Sequence, residues 1–390
     1  MLEPFVNSLK FKASIFVSLG KKLMSTLSRR SFLLNTGAAT AALALPSFMS
    51  AGNSKISNDK KLNVALVGLG RYAGILAEGL LQSQYCKLAG IVTGHPAKAE
   101  TWKKQYNIPD KNIYNYENFD SIKSNNDIDL VYVVLPNSMH AAFTIRAAKA
   151  GKHVICEKPM ATSVADCEAM IKACKDANVQ LAIGYRLHYE PYNLEIKRLG
   201  QEKVFGQVRL IESSLGYKTG DPSEWRLHKA LSGGGPLMNV GIYCLQSSRY
   251  VTGEEPVSVT AQFGPNTDAV LFKEVETSIF WQLIFPGGAV SNSSSTYNCG
   301  VDRFFASAEE GQFELSPGIS YGPFQGKTSK GELHFPDINQ QAAQMDGIGK
   351  LLMEGKPLPS HITGEEGLKD MKIITAIYEA ARTGRKISLV

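Results

Sequence analysis

The chain has 390 residues, of which 44% are hydrophobic and 20% charged; it is too long for one typical core, so two globular domains are expected. The net charge is +6, but six of the 42 basic residues and one of the 36 acidic ones lie in the first 50 positions, and the rest balances to +1. A near-neutral body excludes nucleic acid and anionic membrane surfaces as electrostatically recruited partners.

The chain opens on a targeting pattern, assigned to residues 1–51. Ser28–Leu34 reads SRRSFLL, a twin-arginine motif, and an alanine-rich run, Thr36–Pro46, leads to small residues at Ser50 and Ala51. This predicts a twin-arginine export signal, a periplasmic protein and no membrane attachment after processing. A short anchor helix is the alternative, but the run is well under the ~20 residues that span a bilayer. Met24 would suffice as a start. The six cysteines form no C-x-x-C pair, so free, mostly buried thiols and no metal site are expected.

From residue 61 to 184 short apolar runs alternate with helical patterns. The runs are 62–67, 86–92, 128–134, 152–156 and 179–184; the helices are 73–84, 96–105, 138–150 and 163–177. This predicts an α/β Rossmann domain, a parallel doubly wound sheet. Gly68, Leu69, Gly70, Arg71, Tyr72 and Ala73 form a G-x-G-x-x-A turn between the first strand and first helix, the pattern that holds a dinucleotide pyrophosphate. The second strand ends in Thr93 and Gly94, with Lys98 beyond, where an acid would hold the 2′-hydroxyl of NAD. A hydroxyl and an ammonium suit a 2′-phosphate, so NADP is the expected cofactor. Leu135, Pro136, Asn137 and His140 follow the third strand, and Glu157 and Lys158 the fourth; all are assigned to the cofactor crevice at the strands' C-terminal ends. Pro159 keeps Lys158 extended and is a candidate cis proline.

Residues 185–390 are read as a substrate and oligomerisation domain. Runs at 206–217, 256–264, 275–285, 288–297, 302–308 and 311–316 predict a large open antiparallel sheet, with Val275, Thr277, Ile279, Trp281, Leu283 and Phe285 on one face. Helices at about 339–354 and 364–383 return to the body. The outer face needs a cover, which predicts a homodimer or homotetramer through this sheet. Gly233–Gly235 precede PLMNVGIY; in an α-helix Asn239 and Tyr243, four apart, share one face.

GLGRYA, the segment from Leu135 to Ile171 containing ICEKPM, IGYRLHYEPYN, the EWRL and GGGPLMNVGIY segments and the helix from Gly364 together resemble the Gfo/Idh/MocA oxidoreductase family, from about Lys61 to Arg385. The resemblance implies a Rossmann domain followed by an open sheet, with Lys158 and Tyr243 beside substrate and nicotinamide. It also implies hydride transfer from an aldose to NADP, giving a lactone, and transfer onward to a ketose, giving an alditol. Tyr243 would relay the hydroxyl proton with its pKa lowered by Lys158 and the cationic nicotinamide ring, and Lys158 would stabilise oxyanion charge. Arg186, His188, Tyr189, Trp225 and Arg226 are candidate pocket residues, Arg186 at the cofactor end. Asn239 stands where the family has aspartate and is expected to orient the sugar. Only Ala51–Lys60 separate the signal from the first strand, where tightly NADP-bound relatives carry a longer arm. Two alternatives stay open: an NAD-assisted glycosidase of the same family, and a silent sugar-binding protein with a structural cofactor.

Overall fold

A computed structural model describes residues 60–389, which belong to one compact unit; the export signal expected at residues 1–51 lies outside the described residues. The first sheet contains β1 (Leu62–Val67), β2 (Cys86–Val92), β3 (Ile113–Tyr114), β4 (Leu130–Val133), β5 (His153–Cys156) and β6 (Leu181–Ile183), all parallel, in the order β3-β2-β1-β4-β5-β6. Val64–Val67 and Leu130–Val133 are buried throughout, as strands covered on both faces must be. The covering helices are α1 (Arg71–Gln82), α2 (Pro96–Tyr106), α3 (His140–Lys149) and α4 (Val164–Asp176). Ser163 caps α4 by accepting from the Asp166 N–H at 3.1 Å. The two-residue β3 is too short to leave a periodic signal and was not expected.

The second sheet follows α5 (Pro191–Gln201). It holds β7 (Val208–Gly216) and, after α6 (Lys229–Ser232) and α7 (Ile242–Thr252), β8 (Ser258–Phe263), β9 (Ser278–Ile284), β10 (Val290–Thr296), β11 (Val301–Ala308), β12 (Gly311–Leu315), β13 (Gly326–Thr328) and β14 (Gly331–Leu333). The chain closes with α8 (Gln340–Met353), α9 (Gly364–Thr383) and β15 (Ile387–Ser388). The nine strands run β14-β13-β12-β11-β7-β10-β9-β8-β15. One pair departs from the antiparallel expectation: β7 and β10 are parallel, because the long excursion through α6 and α7 brings the chain back in the same direction.

The alternation in β9 works as its period dictates. Ile279, Trp281 and Leu283 are buried, while Phe280 and Gln282 face out. α7 lies on the inner face, where Ser248 meets Ser291 at 2.7 Å and Ser247 donates to Ser213 at 3.1 Å. The last two helices tie both sheets together. At Gly79 on α1 a Cβ would stand 2.7 Å from the Gln341 Cβ, so α8 sits directly on α1. Asp370 on α9 accepts from Tyr185 after β6 at 2.7 Å and from Arg249 on α7 at 2.6 Å. All six cysteines are free and five are buried, Cys299 being exposed. Among the described residues no helix is long and apolar enough to cross a membrane, and no cluster of metal-ligand residues occurs.

Candidate active site

The order of the first sheet reverses between β1 and β4. Ligands in such sheets bind in the crevice beyond the strands' C-terminal ends at that point. Gly68 has φ +95°, and a Cβ there would lie 2.7 Å from the Val134 carbonyl oxygen, so only glycine lets the loops after β1 and β4 touch. At Gly70 a Cβ would meet nothing within 4 Å, leaving open backbone at the start of α1. That helix has no side-chain cap and no acid in its first turn, which suits a phosphate. Leu69 and Ala73 are buried and fix the turn, while Arg71 is exposed beside it.

The end of β2 fits a phosphorylated ribose. Thr93 is buried and accepts from the His95 N–H at 3.2 Å. Gly94 and Lys98 are exposed, and Lys98 Nζ stands 3.5 Å from the Leu69 carbonyl oxygen, over the glycine turn. No carboxylate occurs from Thr93 to Lys98. After β4, Leu135 is buried against Gly68, Pro136 is half-buried, and Asn137 donates to the Ser232 carbonyl at 2.8 Å. His140 departs from its cofactor assignment. It is 1% exposed, with Nδ1 2.9 Å from the Pro159 oxygen and Nε2 2.8 Å from the Leu135 oxygen. Each ring nitrogen faces a main-chain oxygen, and the one N–H of the neutral ring donates to one of them, so His140 sits between two crevice loops rather than presenting an atom to a ligand.

Lys158 leaves the end of β5 through a cis peptide to Pro159. Its Nζ donates to the Asn239 main-chain oxygen at 2.5 Å and lies 4.5 Å from the centroid of the Tyr243 ring. The glycine-led segment bringing them together is not plain α-helix: Leu237–Gly241 is a π turn, and α7 follows. Its glycines allow close packing, since Cβ atoms at Gly235 and Gly241 would stand 2.5 Å from the Glu276 main-chain oxygen and 2.7 Å from Ser295 Oγ. Half-buried Glu276 accepts from the Gly235 and Leu237 N–H groups at 2.9 and 3.3 Å. The simple four-residue face is therefore replaced by a division of labour. Tyr243 faces Lys158 and Arg186, while the Asn239 amide donates to the Tyr217 hydroxyl at 3.1 Å and accepts from Arg226 Nε at 3.3 Å.

Arg186 is 2% exposed. Its guanidinium lies 4.9 Å from the Tyr243 ring and 4.6 Å from the Tyr321 ring, and donates to the carbonyls of Ile319 at 2.6 Å and Ser320 at 2.8 Å and to the Gln340 side chain. Tyr72 joins this group, its ring centroid 6.5 Å from that of Tyr321. The Arg226 guanidinium lies 4.5 Å from the Trp225 ring and pairs with Glu224 at 2.7 Å. Two pocket expectations are corrected. Tyr189 packs on α8, where a Cβ at Gly347 would stand 2.2 Å from its ring, and it takes no part in the contacts around Lys158. His188 stacks on Tyr185 at 5.0 Å and meets Tyr250 edge-on at 4.1 Å.

Burial sets the electrostatics. It pushes the Glu157 carboxyl up to about 7, opposed by the donated Tyr132 hydroxyl at 2.5 Å and by Lys158. It pulls the Lys158 ammonium down to about 7, with Glu157 opposing and Arg226 and Arg186 adding to the fall. Among the protein's own groups, burial raises the Tyr243 pKa, and Arg186 rather than Lys158 is the cation that partly offsets this. Burial thus draws Lys158 toward neutrality and moves the phenol away from it. Tyr217 and Tyr321 were missed. A glycine- and proline-rich loop carrying aromatics, as Ser316–Phe324 does with Tyr321 and Phe324, is the signal that would have marked Tyr321.

Residues 62–185 match the profile described as an oxidoreductase family with an NAD-binding Rossmann fold, and residues 193–314 that of the GFO/IDH/MocA C-terminal domain. The chain belongs to the Gfo/Idh/MocA oxidoreductase family. It is similar to the crystal structure of aldose-aldose oxidoreductase from Caulobacter crescentus, complexed with glycerol, at 44% identity and TM-score 0.82, over 85% of this chain and 100% of that one. It is also similar to D-xylose 1-dehydrogenase [NADP(+)] of Haloarcula marismortui, 26% identical over 347 residues, 85% of this chain and 94% of the relative. A second such relative, D-xylose 1-dehydrogenase (NADP(+)) 2 of Haloferax volcanii, is 24% identical over 79% of this chain and 94% of its own length.

Proposed function

We propose that the protein is an NADP-dependent oxidoreductase that oxidises the anomeric hydroxyl of an aldose to a lactone and passes the hydride to a second sugar carbonyl. One arrangement carries this reading: Lys158 Nζ, held by the Asn239 main-chain oxygen, faces the Tyr243 ring beside the crevice headed by Gly68 and Gly70. The xylose dehydrogenases support the cofactor and sugar class, and the Caulobacter crescentus enzyme supports a sugar as second substrate, an aldose rather than the ketose first expected.

NADP, held by the glycine turn, Thr93, Arg71 and Lys98, supplies the hydride acceptor when bound. Lys158 in its neutral form takes the hydroxyl proton during oxidation and returns it to the second sugar's carbonyl oxygen during reduction. The Tyr243 hydroxyl orients the reacting oxygen, and Arg186 restrains that phenol. Trp225 offers an apolar face to the sugar ring; Arg226 and Asn239 offer hydrogen bonds. A carboxylate at 239 is not needed in this scheme, because the proton moves at Lys158.

The leader supports export to the periplasm, which cell fractionation tests. The uncovered face of the second sheet, with Phe280 51% exposed among Gln282, Asn292 and Arg303, supports a homodimer or homotetramer through this sheet, tested by sedimentation. The catalytic reading is tested by following the reduced-nicotinamide absorbance of NADP-loaded protein. An aldose should raise it, and a second aldose or a ketose should bleach it. No rise with any aldose refutes sugar oxidation; a rise without bleaching refutes the second transfer.

A further inference from the structure

The loop between β12 and β13 is held far more tightly than a surface connection requires. Asp302 on β11 accepts from the N–H groups of Gly318 at 3.0 Å, Ile319 at 2.8 Å and Ser320 at 3.0 Å. From the opposite side Arg186, which follows β6, donates to the carbonyls of Ile319 at 2.6 Å and Ser320 at 2.8 Å. Two charged side chains, one rooted in each sheet, thereby fix the donors of three successive residues and the acceptors of two of them. Bonds to charged groups are among the stronger ones, and this backbone has little freedom left.

The residue presented by this clasp is Tyr321. Its ring lies 4.6 Å from the Arg186 guanidinium and 6.5 Å from the ring of Tyr72, at 36°. Tyr72 is the second residue of α1, immediately past the glycine turn. Tyr321 remains 57% exposed, so it is not there to fill a core. The Tyr72–Tyr321 contact joins the rim of the glycine turn to the second sheet, beside Arg186 and Tyr243.

We propose that Tyr321 is a strap across the substrate end of the dinucleotide groove, and that the Asp302–Arg186 clasp makes it stiff enough to slow cofactor release. The inference rests on the NADP reading above. It supplies a retention element from within the fold.

The test is the release of NADPH from the loaded full-length protein, followed by its fluorescence during a chase with excess NADP. Tyr321→Ala is expected to speed release about tenfold, the scale of a lost aromatic pair with its cation contact. Tyr321→Phe, which keeps the ring, should change release by less than about twofold. Asp302→Asn, which weakens the clasp, should speed release while leaving the circular dichroism spectrum unchanged; if that variant does not fold, the two Tyr321 variants decide alone. Release from Tyr321→Ala at the wild-type rate overturns the strap and leaves the NADP reading intact. A wild type that takes up no NADPH overturns the functional reading itself, and the strap with it.

Discussion

The Lys158 ammonium is seated over the face of the Tyr243 phenol, 4.5 Å from its centroid, with its hydrogen bond directed to main chain rather than to an acid. Lys158→Ala is therefore expected to lower kcat by about 10²–10⁴, the usual range for losing a positioned general base. Nucleotide affinity should persist, because the glycine turn is a separate element. Steady-state turnover alongside NADPH titration checks both halves.

The pH dependence follows from the same lysine. Its pKa is pulled down to about 7 by burial, with Glu157 holding it up and Arg226 and Arg186 pressing it further down. Oxidation needs the neutral amine, so its rate should rise with pH and level off above about 7; reduction needs the ammonium and should fall over the same range. Glu157→Gln removes the negative charge that favours the ammonium, so both limbs should move to lower pH. Rate–pH profiles in each direction read the shift, and profiles that coincide with wild type would remove Glu157 from this role.

The Asn239 side chain is bonded to Tyr217 and Arg226, and only the main-chain oxygen of this residue meets Lys158. Asn239→Asp is expected to keep kcat/KM within about tenfold of wild type, a difference of ~1.4 kcal/mol. A rise of several orders of magnitude would mean that the acid is required after all.

Lys98 stands over the glycine turn where an acid is absent. Lys98→Ala should weaken NADP binding about tenfold and leave NAD binding nearly unchanged, because only the phosphorylated ribose meets the ammonium. Calorimetric titration with both nucleotides distinguishes this from a general loss of affinity.

Stability has its own test, away from the chemistry. Arg249 is almost wholly buried and bonds Asp370 at 2.6 Å and Glu366 at 2.8 Å, linking α7 to α9. Arg249→Ala strands these acids and should cost about 3 kcal/mol in denaturant unfolding, since a buried pair loses most when one partner is removed.

Much of this molecule was legible in the chain because local pattern and local chemistry coincide. Gly68 and Gly70 sit at a strand–helix junction, and the alternation through Ile279, Trp281 and Leu283 has the period of a half-buried strand. These features depend on neighbours a few residues away. The parallel pairing of β7 with β10 and the two-residue β3 were not legible, since long-range register leaves no mark in a short run.

The site divides in the same way. The sequence by itself determined a dinucleotide turn without an acid at Thr93, a lysine after β5 and a tyrosine beyond a glycine-led segment. Only the tertiary structure decided that a π turn aims Asn239 at Tyr217 and Arg226, that His140 is a tie between loops, and that Tyr189 lies on α8. It also decided that burial draws the Lys158 pKa down toward neutrality and pushes that of Tyr243 up. Spacing can bring Lys158 and Tyr243 into one crevice, but proton affinity depends on how much water each loses and which charges replace it. Those come from Glu157, Arg186 and Arg226, set by packing between the two sheets.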